Sequence, residues 1–124
     1  MNAETIRKLE ADPETDSLVA EKVMDLRVQG EYLLPITAHG TMISHYSTDN
    51  NAMQKVIDVM RTRDFWWSAS YKTACFVDDL RKPGYEVRFR CVYGGTRGDH
   101  IGVADTLAHA TSIAALLAVM GDES

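Results

Sequence analysis

The sequence predicts an α+β domain in which a mainly antiparallel sheet is sandwiched between helical layers, an α-β-α sandwich. Three observations lead there. Apolar residues recur at helical spacing in the windows 16–27, 49–61 and 106–120. Two strand-like runs, 71–77 and 86–93, flank an Arg81-Lys82-Pro83-Gly84 turn signal and so predict a hairpin. In the last window Leu107, Ala110, Ile113, Ala114, Leu117 and Met120 form a long apolar face, and five alanines (Ala108, Ala110, Ala114, Ala115, Ala118) leave little side chain between it and a neighbour. Close helix-on-sheet packing follows.

Taken in order, residues 1–15 carry alternating charge and read as a short amphipathic helix or a frayed arm, ended by Asp12-Pro13. Residues 16–121 read as one domain and 122–124 as a tail. Asp16 stands as the cap of the first firm helix, with Leu18, Val19, Val23, Met24 and Leu26 inward and Gly30 as its stop. Residues 31–36 read as a short strand or a packed loop, and Pro35 makes any strand an edge. The stretch 37–47, with Gly40 and two histidines, reads as a mobile surface loop. Ser47, Thr48 and Asp49 offer caps for the second helix, whose buried stripe is Ala52, Met53, Val56, Ile57 and Met60. The run 65–77 reads as one bent strand or two. Along 86–93, Val87, Phe89, Cys91 and Tyr93 share one face and Glu86, Arg88, Arg90 and Val92 the other. Residues 94–99 form a glycine-rich loop, 100–103 add a short strand, and Asp105 caps the closing helix.

A chain of 124 residues with 45% hydrophobic and 25% charged content suits one soluble globular domain. Its polar start predicts no cleaved signal peptide, and Asp105 and His109 interrupt its most apolar window, so the expectation is a cytoplasmic protein without membrane contact. A formal charge of −5 disfavours long nucleic acids as partners, since phosphate-backbone binding is driven by clustered Lys and Arg. Cys75 and Cys91 read as reduced, buried thiols rather than a disulfide.

Three blocks, DSLVAEKVM, HYSTDNNAMQKVIDVMR and ADTLAHATSIAALLAV, resemble in order the phage ABA sandwich domain family of small phage and prophage proteins. The first block departs from the family pattern at Asp25 and Leu26, the last at His109 and Thr111. The resemblance implies a sheet between helical layers and a bacterial host cell cytoplasm, and no activity or catalytic residue.

No nucleophile stands with a base, and no metal-ligand spacing is legible. His39 and His45, with Asp49 or His100, lack an HxxxH or HExxH order and read as solvated or capping residues. Asp78-Asp79 reads as a solvated strand end, and His109 as a structural histidine. The candidate site is instead the 94–99 loop with its neighbours. Backbone N–H groups at Gly94 and Gly95 can converge on an anion, Arg88, Arg90 and Arg97 supply phosphate forks, and Trp66 or Tyr93 supplies a ring to stack on a base. The competing assignment packs the aromatics in the core and leaves the arginines solvated.

Two functions compete on these residues. One is non-catalytic capture of a small anionic or nucleotide-derived ligand, with no cofactor or metal; for a phage product this would mean antagonism of host nucleotide-signalling defence. The other is a protein-protein interaction or assembly module working through 65–71. Trp66 and Trp67 point to opposite sides of a strand, so one ring needs separate cover and a homo-oligomer is expected.

Overall fold

In the computed structural model the described residues are 2–29, 32–33, 42–77, 80–91 and 99–120. They form an α+β fold. Three antiparallel strands, β3 (Phe65–Val77), β4 (Leu80–Cys91) and β5 (Asp99–Ala104), lie in the order β3-β4-β5, and a separate two-stranded ribbon joins β1 (Val28–Gln29) to β2 (Tyr32–Leu33). The helices α1 (Ala3–Arg7), α2 (Pro13–Leu18), α3 (Asn50–Thr62) and α4 (Leu107–Met120) complete the domain.

The packing centre is α4. It crosses the sheet face that carries Val87 and Phe89, and α1, α3 and the turn after α2 cover its other sides. Ala108, Ala110 to Leu117 and Met120 are all buried, so this helix has no wet face over those turns. Its alanines let it lie close. A Cβ placed on Gly102 of β5 would fall 2.3 Å from the Ala110 carbonyl oxygen and 2.6 Å from the Ala114 nitrogen. The helix opens at Leu107, one residue later than the sequence suggests, and the Thr106 hydroxyl oxygen accepts the His109 N–H at 3.3 Å. His109 is structural: its Nε2 lies 2.7 Å from the Leu9 carbonyl oxygen, tying the N-terminal segment to α4. Ile6 of α1 is fully buried in the same core.

The first firm helix starts earlier than the sequence suggests. Asp12, not Asp16, is its cap, accepting the Thr15 N–H at 2.9 Å, and Pro13 occupies the first turn, where a missing N–H costs nothing. After Leu18 the chain widens into a π-helical turn, Val19–Val23, and the helix stops at Asp25, whose φ of 55° is left-handed. It does not extend to Arg27. Asp16 is left free to turn inward, where its carboxylate accepts the Ser47 backbone N–H at 2.8 Å and the Ser47 hydroxyl at 2.6 Å. That bond docks residues 46–47, both buried, against α2, so this end of the expected surface loop belongs to the core.

Helix α3 follows its sequence pattern. Asp49 caps it through the Asn51 N–H, and Ala52, Met53, Val56, Ile57 and Met60 are buried. It ends at Thr62, and Asp64 just beyond it takes a left-handed φ of 67°.

The hairpin does not turn at Pro83-Gly84. Both residues lie inside β4, and Val77 pairs with Leu80, so the connection falls at 78–79, outside the described residues. Proline cannot donate to a ladder. Between the pairs Lys72↔Gly84 and Cys75↔Lys82, β3 carries one residue more than β4, a bulge opposite Pro83. With this irregularity absorbed, 65–77 is one strand. The register also separates Cys75, opposite Lys82, from Cys91, opposite Phe65, and Cys91 is a free thiol. Among the described residues no helix is long and apolar enough to cross a membrane.

Candidate functional site

Strand alternation puts the core side chains of β4, Val87 and Phe89, on the α4 side and Glu86, Arg88 and Arg90 on the other. The cross-strand pairs Trp66↔Arg90, Ser68↔Arg88 and Ser70↔Glu86 place β3 residues on the same outer face. From β5 the partners are Asp99, Ile101 and Val103. A helical layer over this face, expected for the full sandwich, is not among the described residues. Trp66 is 67% exposed and Arg90 72%. Trp67 points inward, where its indole N–H donates to Thr111 Oγ1 at 3.2 Å.

The charges on this face are paired with one another. Arg88 donates from Nε (3.1 Å) and Nη2 (2.9 Å) to Glu86 Oε1, and from Nη1 to Asp99 Oδ2 (3.1 Å). The Arg90 Nε meets Asp99 Oδ1 at 2.9 Å, and Lys72 Nζ meets Glu86 Oε2 at 3.1 Å. Three cations thus share two carboxylates. Burial pushes the Glu86 carboxyl up, but hydrogen bonds and charges from Arg88 and Lys72 outweigh it and hold the group below its usual range. The Asp99 carboxyl is lowered chiefly by its hydrogen bond from Arg90. Both folded values lie below the unfolded ones, so this network supports the fold fully above roughly pH 5 and is lost as pH falls below roughly pH 4. Acid titration of melting temperature is expected to show a loss in that window that shrinks in Glu86→Gln. A titration unchanged in that variant would show that Glu86 plays no part in acid stability.

Of the sequence-predicted site residues, Arg88, Arg90 and Trp66 come together on this face. Tyr93, Gly94, Gly95 and Arg97 lie outside the described residues, as do His39 and Asp78-Asp79. Glu86 and Asp99 complete the network and were not foreseen as members. Glu86 was legible as a neighbour of Arg88 on one strand face, whereas Asp99 reaches the arginines only through the β4-β5 register. Arg88 commits three of its five N–H donors to carboxylates, so a phosphate there would compete with Glu86 and Asp99 for its charge. Arg90 uses Nε alone among the described residues. A cleft of about 290 Å³ is lined by Ile57, Arg61, Phe65, Trp66 and Trp67. Among the described residues no group of three His, Cys, Asp or Glu side chains could hold a metal ion.

No protein-family model and no curated protein matches the chain, so the family resemblance rests on its three sequence blocks. Among solved structures, the fold is similar to that of a phage protein from Bacillus cereus ATCC 14579, determined by crystallography at 2.0 Å. The two agree with a TM-score of 0.61 at 16% identity, over 88% of this chain and 92% of that one. At that identity the likeness is one of fold.

Proposed function

We propose that the protein is a small phage or prophage accessory protein that binds without catalysing a reaction. In this reading it is an assembly module whose outer sheet face is covered by another protein, in the first instance a second copy of itself. The observation that carries this is the exposed Trp66 ring beside a network of both charge signs. A small-molecule site is normally concave and apolar with a few convergent polar groups, whereas Arg88 on this face is already held by Glu86 and Asp99. Two-fold pairing lets one copy's cations meet the other's carboxylates while the indoles bury each other. The phage assignment is supported by the three sequence blocks and by the phage origin of the structural neighbour.

Light scattering at tens of micromolar is expected to give twice the 13.8 kDa chain mass for the wild type and the chain mass for Trp66→Glu, with little change in melting temperature measured at low concentration. A monomeric wild type would overturn self-assembly.

A second reading is favoured by the Trp66↔Arg90 pair, which sets an exposed ring next to an exposed guanidinium that uses only its Nε among the described residues. It is the capture of a small phosphate-bearing, nucleotide-derived ligand, by which a phage protein would blunt host nucleotide signalling. A thermal-shift screen separates the two, because a ligand at a hundred times its dissociation constant adds roughly 2.7 kcal/mol. Silence across nucleotides leaves the protein partner.

A further inference from the structure

A cleft of about 340 Å³ opens between α2 and residues 42–45. Its walls are Pro13, Met42 and Ile43, and its polar groups are Glu14, Asp16, Ser17 and His45. The Asp16 side chain is only 5% exposed. One of its oxygens, Oδ1, takes both hydrogen bonds from Ser47. The other, Oδ2, receives none among the described residues, and His45 Nδ1 stands 3.7 Å from it, too far for a hydrogen bond. A carboxylate that lines a largely apolar cleft, with one oxygen held by the two Ser47 donors, offers its other oxygen to a cation entering that cleft.

We propose that this cleft binds a primary ammonium or guanidinium group carried on an aliphatic stem. The cation meets Asp16 Oδ2, Glu14 adds negative potential, and the stem lies along Pro13, Met42 and Ile43. The volume is at the small end of ligand sites and suits a chain of a few methylenes rather than a ring system. Anions are repelled by two carboxylates, and a purely apolar guest leaves Asp16 as it stands. The cationic stem comes either from a free alkylamine or from a lysine or arginine side chain of a protein. The site is separate from the sheet face, so its fate does not depend on that of the assembly reading.

The test is calorimetry with ligand-detected NMR on the full chain, with n-pentylamine, agmatine and Nα-acetyl-lysine N-methylamide as probes and n-pentanol and valerate as controls. The amines are expected to saturate with dissociation constants on the order of 0.1–1 mM, at least about tenfold tighter than the controls. Met42 is exposed at the edge of the cleft, so Met42→Lys should leave the fold intact, place a tethered ammonium over the site and weaken the amines about tenfold or more. Binding by the capped lysine as tight as by pentylamine identifies a protein side chain as a sufficient source, and binding by the free amines alone identifies a small amine. Absence of saturation by any amine, equal binding of pentanol, or undiminished binding to Met42→Lys would overturn the proposal.

Discussion

Leu117→Asp is expected to leave the domain unfolded under conditions where the wild type is folded. Leu117 is buried on the helix that the sheet, α3 and the N-terminal segments all pack against. The substitution removes a side chain whose burial contributes roughly 1.5–3 kcal/mol and leaves a carboxylate where the surrounding core is apolar. Together these exceed about 4 kcal/mol, a large share of the 5–15 kcal/mol that ordinarily holds a domain together. Leu117→Ala separates the two terms, because it creates only the cavity and should cost about 2–5 kcal/mol in denaturant unfolding. A Leu117→Asp protein that melts within a few degrees of the wild type would mean that α4 can rotate this position to water.

The second large effect is expected at Gly102. Gly102→Val puts branched carbons where even a single Cβ would meet the backbone of Ala110 and Ala114 on α4. The obstacles are main-chain atoms, which cannot swing aside as a flexible side chain would, so α4 must lift from β5 or the strand must bow. Overpacking of this kind costs roughly 3 kcal/mol or more, a fall of at least about 10 °C in melting temperature for a domain of this size. Gly102→Ala should cost less but in the same direction. The size order Gly, Ala, Val is the informative result. If all three melt together, the close approach at Gly102 does not set the helix-to-sheet distance.

These sites also show what could be read from residues alone. The α3 stripe was legible, and its cap was narrowed to Ser47, Thr48 or Asp49, because helical spacing and N-capping are local signals that tertiary packing has no reason to override here. The two faces of β4 were legible for the same reason: alternation fixes which side chains share a face once the segment is a strand. The close packing of α4 on the sheet was readable from its alanines, although its burial on every side was not. That depends on α1 and the Val19–Val23 turn covering the face that the helix alone would leave wet.

Other features were decided by distant partners. Asp16 reads as the cap and Asp12-Pro13 as a break; yet Pro13 suits the first turn after Asp12, and Ser47, 31 positions on from Asp16, supplies the donors that draw Asp16 inward. Pro83-Gly84 carries a turn signal, yet the longer pairing of β3 with β4 overrides it by placing a bulge where proline cannot donate. Arg88 and Arg90 read as open phosphate ligands until the β4-β5 register brings Asp99 beside both. Periodicity and strand alternation act within a few residues and were therefore determined by the sequence itself. Which polar group neutralises which, and which turn signal yields to a strand, are settled by energies between residues that only the folded chain brings together.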